Sequence, residues 1–234
     1  MIDHPEGQVT MEARELAARY AAVKATIPAG VKLIAVSKTR SVEEIRALYD
    51  LGHRAFGENY PQEIREKQPL LPADIEWHFI GHLQTNKVKY VAPFIHLVHA
   101  VDSSRLLDEL QKRATAASRS IDVLLQVHIA REETKHGWSA PELRMFLETT
   151  DHSERWPHLR LCGLMGMATN TADPGVVREE FDGLAGLFHE LRKSGQVPVC
   201  FKELSMGMTS DARIAIEAGS TMVRIGTAIF GDRE

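Results

Sequence analysis

Short apolar runs and helical patterns alternate along this chain. The first pattern spans residues 9–26, where Leu16, Ala17, Tyr20, Ala21 and Val23 recur at helical spacing and predict a helix. Eight short runs rich in Val, Ile, Leu and Phe follow, at 32–36, 53–56, 76–80, 96–100, 122–129, 160–165, 201–204 and 222–225, and each reads as a strand. Between them, helical patterns fall near 41–50, 60–67, 85–91, 103–117, 140–149, 175–194 and 210–218. Several carry start signals. Ser41 with Glu44 forms a capping box, and Asp102-Ser103-Ser104 and Ser139-Ala-Pro141-Glu142 mark two more helix beginnings.

Strands alternating with helices pair in parallel through right-handed crossovers. Eight such units predict an α/β fold, a single (β/α)8 TIM-type barrel with an extra N-terminal helix. No stretch reads as a linker, so one domain is expected over 1–234. An open doubly wound sheet would usually carry Gly-x-Gly-x-x-Gly after its first strand. Here the first strand ends in Val36-Ser37-Lys38-Thr39, without glycine.

Composition then narrows the function classes. Hydrophobic residues make up 44% and charged residues 26% of 234, enough for a core that needs no disulfide or metal staple. The net charge is −4, from 28 basic against 32 acidic side chains, with no basic run. That excludes a dedicated nucleic-acid or membrane-surface partner, which would use clustered positive charge. Cys162 and Cys200 lie in apolar segments without a Cys-x-x-Cys pair and read as small buried hydrophobes in a reducing compartment. The start has no secretory pattern and no apolar run approaches the roughly 18 residues of a membrane span, so a cytoplasmic protein is expected.

Barrel chemistry sits at the C-terminal ends of strands. Those positions hold Ser37-Lys38-Thr39, Gly57-Glu58-Asn59, Gly81-His82-Leu83-Gln84, Asp102-Ser103, the loop 133–137 with Lys135, Met165-Gly166-Met167, the segment 205–210 and Arg224-Ile225-Gly226-Thr227. Lys38 ends a strand that is apolar on both faces. Partial desolvation there favours the neutral amine, the form that attacks an aldehyde, although a lysine snorkelling to solvent fits the same position. The loops after the seventh and eighth strands, Ser205 to Asp211 and Gly226-Thr227-Ala228, combine hydroxyls and glycines. They suit a phosphate, or plain capping. Arg224 alternates with Val223 and Ile225, so it points into the barrel and needs a partner, an internal glutamate such as Glu203 or a ligand. His78 and His82 are four apart on a strand end, and the 11 histidines show no ligand spacing, so no metal site is expected.

Six segments in order resemble the pyridoxal phosphate homeostasis proteins. They are Ile34-Ala-Val-Ser-Lys-Thr39, Phe56-Gly-Glu-Asn-Tyr-Pro-Gln-Glu63, Trp77-His-Phe-Ile-Gly-His-Leu-Gln-Thr-Asn-Lys87, Gly163-Leu-Met165, Glu203-Leu-Ser-Met-Gly-Met208 and Val223-Arg-Ile-Gly-Thr-Ala-Ile-Phe-Gly231. The resemblance implies a barrel like the N-terminal domain of alanine racemase, the third fold type of pyridoxal 5′-phosphate (PLP) proteins. It implies a Schiff base on Lys38 and a cofactor phosphate near Ser205, Gly226 and Thr227. It places Arg224 against the pyridine nitrogen, with Asn59 and Met206 as further pocket positions. His82 stands where members vary, and the wall after Met165 departs from some of them.

An arginine beside the pyridine nitrogen disfavours ring protonation and so weakens the ring as an electron sink. Racemases of this fold add a tyrosine from a further C-terminal domain, and the sequence ends at Glu234, so that group is expected to be absent. The expected function is a monomeric PLP carrier that buffers or supplies cofactor to PLP-dependent apo-enzymes, with no catalytic residue of its own. The alternatives are a fold type III PLP enzyme such as an amino-acid racemase, with Tyr60 or His82 as acid–base candidates, and a phosphosugar enzyme without PLP.

Overall fold

Eight parallel strands close into a barrel, each strand pairing with its sequence neighbour and β1 with β8. The computed structural model describes residues 11–132 and 135–232. The strands are β1 Lys32–Val36, β2 Ala55–Glu58, β3 Glu76–Phe79, β4 Leu97–Val101, β5 Ile121–Val127, β6 Leu159–Gly166, β7 Glu203–Ser205 and β8 Met222–Ile225. The helices are α1 Met11–Thr26, α2 Val42–Asp50, α3 Pro61–Lys67, α4 Val88–Val91, α5 Ser104–Ala116, α6 Ala140–Thr149, α7 His152–Arg155, α8 Pro174–Ser194, α9 Ala212–Glu217 and α10 Thr227–Phe230. The expected capping box forms at Ser41 with Glu44, and the helix start at Ser139 proves to be a second one, with Glu142. Positions 9 and 10 of the first predicted helix lie outside the described residues. No described helix is long and apolar enough to cross a membrane.

Strand alternation produces two apolar layers. Val223 and Ile225 belong to the large cluster between strands and helices, while Met222 joins Leu97, Leu124, Cys162 and Met165 in a small cluster inside the barrel. The interior is only partly apolar. His78, His99, Ser205 and Arg224 are buried there, and that polar filling is what makes the barrel a site. Cys162 is buried as expected. Cys200 is exposed, which corrects the sequence expectation. It lies in the turn ahead of β7, which begins at Glu203.

One close approach fixes a residue type. Gly163 on β6 pairs with Glu203 on β7 at φ +155°, and a Cβ there would lie 1.7 Å from the Glu203 carbonyl oxygen. Gly163→Ala must push the two strands apart and is expected to cost about 2–3 kcal/mol. A urea midpoint unchanged from wild type would show that the contact relaxes freely.

α1 ties the ends of the barrel together. Its Arg19 Nε donates to the Ile229 carbonyl at 3.0 Å, and Arg40 Nη2 donates to Gly231 O. α1 and α10 are thereby docked beside the β1–β8 seam.

Candidate functional site

The turn after β1 is held from both sides. Ser37 is fully buried and its hydroxyl donates to Glu58 Oε1 at 2.7 Å. Lys67, on α3, donates its ammonium to the Ser37 carbonyl at 2.8 Å, to Glu58 Oε1 at 2.9 Å and to Glu63 Oε1. Glu63 Oε1 also accepts from the Thr39 N–H. Thr39 itself is left-handed, with φ 64°, a conformation that non-glycine residues adopt only when surroundings enforce it. Lys38 is therefore carried, half-buried, on a braced turn. Burial pushes the Glu58 carboxyl up, against the opposing pull of the Lys67 ammonium. Glu63 and Lys67 are one helical turn apart, so both reach the same point.

Arg224 comes from β8, the strand that pairs with β1 in the closed barrel. Its Nη1 donates to Ser205 Oγ at 2.6 Å and its Nη2 to the Gly166 carbonyl at 3.1 Å. The guanidinium is buried, and burial lowers it to about 10, still a cation at neutral pH. Glu203 is not its partner, since that carboxylate accepts from Thr221 Oγ1 at 2.8 Å instead. The alternation of β8 sends Arg224 inward, whereas Glu203 at the opposite end of β7 stays near the barrel base. Among the described residues no carboxylate forms an ion pair with Arg224, so a buried cation faces only neutral acceptors.

Behind Arg224 runs a line of hydrogen bonds through the barrel. Ser205 Oγ is 2.9 Å from His99 Nδ1, and His99 Nε2 is 2.9 Å from His78 Nδ1. His78 Nε2 faces Glu76 Oε2 at 3.9 Å, too far for a hydrogen bond, and has no partner among the described residues. Burial lowers His78 to about 4 and His99 well below its usual range, so both rings are neutral at pH 7. The relay thus fixes Ser205 and, through it, the aim of Arg224.

The other expected positions are distributed as follows. Met206 is wholly buried in the apolar layer, with its N–H 3.2 Å from the Met222 carbonyl. Met208 N–H donates to Asp211 Oδ1 at 2.5 Å, so this loop caps itself. Gly226 is half-buried and Thr227, the first residue of α10, is exposed. In α10 the Ile229 and Phe230 N–H groups both donate to the Gly226 carbonyl at 2.9 Å, and those of Thr227 and Ala228, at its very start, have no partner within the helix. Asn59 Oδ1 is buried without a hydrogen-bond partner among the described residues, and Gly81 packs so closely beneath Asn59 that a Cβ would lie 2.6 Å from the Asn59 carbonyl oxygen. Tyr60 is exposed ahead of α3. Lys135 Nζ donates to the Ala168 carbonyl at 2.6 Å and pairs with Glu132. Glu133 and Thr134 of the same loop lie outside the described residues.

These groups fit a flat anionic cofactor held by an amine. A lysine stands on a braced turn, a buried cation lacks a counter-ion, a buried amide oxygen lacks a donor, and glycine and threonine open a helix end at the mouth. Sequence reasoning put Ser37 and Glu58 at strand ends without a role, discounted His78, and assigned nothing to Glu63, Lys67 and His99. The Glu63–Lys67 spacing was a visible signal, but their targets come from two other elements. The histidine contacts join β3, β4 and β7, which no local spacing reveals.

Comparison with known proteins agrees with this geometry. Residues 12–234 match the family model described as alanine racemase, N-terminal domain. A pyridoxal phosphate homeostasis protein of Aquifex aeolicus is 42% identical over 204 residues, covering 87% of each chain. One of Homo sapiens is 36% identical over 213 residues, covering 87% of this chain and 77% of that protein. The solved structure of PipY from Synechococcus elongatus PCC7942 with PLP bound is 33% identical, with TM-score 0.82, covering 92% of this chain and 100% of that one.

Proposed function

This chain belongs to the pyridoxal phosphate homeostasis proteins, built on the alanine racemase N-terminal domain, and from that premise we propose that it holds PLP at the barrel mouth and keeps it available to the cell. When bound, PLP supplies an aldehyde that condenses with an amine and a ring that can accept electrons. The chain's own residues do the rest. Lys38 Nζ is the covalent anchor, positioned by the Lys67–Glu63 brace. Ser205, Gly226 and Thr227 receive the phosphate, Asn59 forms part of the wall, and Met206 supports the Ser205 turn from the outer apolar layer.

The observation that carries the reading is Arg224, a buried guanidinium with no carboxylate partner among the described residues. Set against the pyridine nitrogen, it donates to the lone pair and opposes protonation there. An unprotonated ring is a weak electron sink, so binding is favoured over turnover. This supports a carrier rather than an enzyme. Its partners are then PLP-dependent apo-enzymes, and neither nucleic acid nor membrane. We place the carrier in the cytoplasm as a monomer.

Borohydride reduction of the purified protein after incubation with PLP, followed by intact mass and peptide mapping, tests this. The expected result is one cofactor mass on Lys38, with Lys38→Ala losing both the label and the visible absorbance. Label spread over surface lysines, or unchanged absorbance in Lys38→Ala, would refute it.

A further inference from the structure

Three strand ends on one side of the mouth deliver a second set of donors. His82 follows β3, Asp102 follows β4 directly, and His136 lies in the loop after β5. We propose that these three residues form a binding site for a first-row divalent transition ion, with zinc as its probe.

The geometry is close to that of a metal centre. His82 Nδ1 lies 3.0 Å from Asp102 Oδ2, and one donor atom from each of the three residues lies within 4.8 Å of the others. Ligand atoms on a tetrahedral zinc stand roughly 3.3 Å apart, given bonds of about 2.0–2.1 Å. The side chains must turn to close the difference, and the exposure of both histidines leaves them room to do so. The two imidazoles stack almost parallel, with centroids 4.0 Å apart and 17° between planes, so binding one ion requires them to turn out of the stack until both ring planes meet it. Ser103 Oγ donates to Asp102 Oδ1 at 3.2 Å and fixes the oxygen that the histidine does not use. Hydrogen bonds of this kind orient ligating carboxylates.

Charge and access also fit. Asp102 brings one negative charge, and Arg105, which lines the same hollow, forms no ion pair with it. The His82 side chain is 43% exposed, so a hydrated ion reaches it without any opening of the fold. Two imidazoles and one carboxylate select zinc, cobalt, nickel or copper over calcium and magnesium, which prefer oxygen. Three protein ligands leave a fourth position of a tetrahedral ion open to water or an anion.

A second histidine cluster, Glu76 with His78 and His96, sits at the opposite end of the barrel. There the Lys32 ammonium already lies 2.9 Å from Glu76 Oε2 and occupies the place of a cation. That cluster supplies the control.

Zinc binding to the full chain is measured by competition with a chromophoric chelator, and cobalt binding by visible absorption. One ion per chain is expected. His82→Ala and His136→Ala should each weaken zinc by at least about tenfold, the loss that even an indirect partner of a metal ligand causes. Asp102→Asn should act in the same direction. Both histidines are exposed, so these variants fold. His96→Gln should bind as wild type. Lys38→Ala should also bind as wild type, which separates this site from the cofactor reading. The proposal fails if the wild-type chain takes up no zinc, if His82→Ala and His136→Ala bind it unchanged, or if the loss follows His96→Gln.

Discussion

Acidification from about pH 6.5 to about pH 4 is expected to unfold this protein, and buried histidines are the reason. Burial lowers His53 and His78 to about 4 and lowers His99 well below its usual range. In the unfolded chain each takes its proton near pH 6.5. Within that window the unfolded state therefore binds protons that the folded state refuses, and stability falls as pH falls. Above pH 6.5 both states are neutral and the curve is flat. His53 and His78 each account for a loss on the order of 3 kcal/mol by the bottom of the window. Their sum is comparable with the roughly 5–15 kcal/mol that holds a domain folded.

Burial explains why protonation is refused, and at His53 it outweighs the Ala55 carbonyl, which favours the charged ring. His53 Nε2 donates to the Ala55 carbonyl at 2.8 Å, which leaves Nδ1 to accept from Tyr20 Oη at 3.2 Å. A second ring proton would place a full charge in a pocket that water does not solvate. Carboxylates whose pKa is depressed, such as Glu76, contribute only below their unfolded value of 4.5, so the upper part of the window belongs to the histidines. Urea midpoints measured across the range check this. A midpoint constant from pH 6.5 to about pH 5 would mean that the rings are protonated inside the fold.

Lys67→Met is expected to cost about 3–5 kcal/mol, the penalty for leaving one member of a buried ion pair alone. Glu58 has no exposed side-chain area and Lys67 has 8%. Removing the ammonium strands the Glu58 carboxylate and releases the Ser37 carbonyl and Glu63 together. Adding Glu58→Gln to Lys67→Met should recover much of the loss, because the stranded charge is gone. If the double variant is no more stable than Lys67→Met, the lysine acts through the turn rather than through charge. PLP uptake should be slower in both, since the Lys38 turn loses its brace. An uptake rate equal to wild type in both would show that the turn holds itself.

The fold was legible because each strand buries both faces and each helix one. The runs at 32–36 and 222–225 match β1 and β8 to the residue. The run at 201–204 does not match β7, which starts at Glu203: position 201 is a buried phenylalanine in a loop, and burial alone looks the same in loop and strand. α7 and α10 have four residues each, too few for a 3.6-residue period to register. Lys38 and Arg224 could be picked out because they interrupt or end apolar runs. The network around them could not, because Lys67, His78 and His99 reach their partners across strands and helices far apart in sequence. The exposed Cys200 shows the same limit, since an apolar neighbourhood in sequence did not imply one in space.

The seam between β1 and β8 pairs Lys32 with Met222 and Ile34 with Arg224. The strand that presents Lys38 and the strand that presents Arg224 are thus neighbours in space and nearly the whole sequence apart. During synthesis the first strand waits with an open edge until the last has left the ribosome, and no ligand can organise the mouth before then. Loop closure of that span slows folding and prolongs exposure of an unpaired apolar strand. A nascent chain stalled before the eighth strand should depend on chaperones, and adding cofactor should not rescue it.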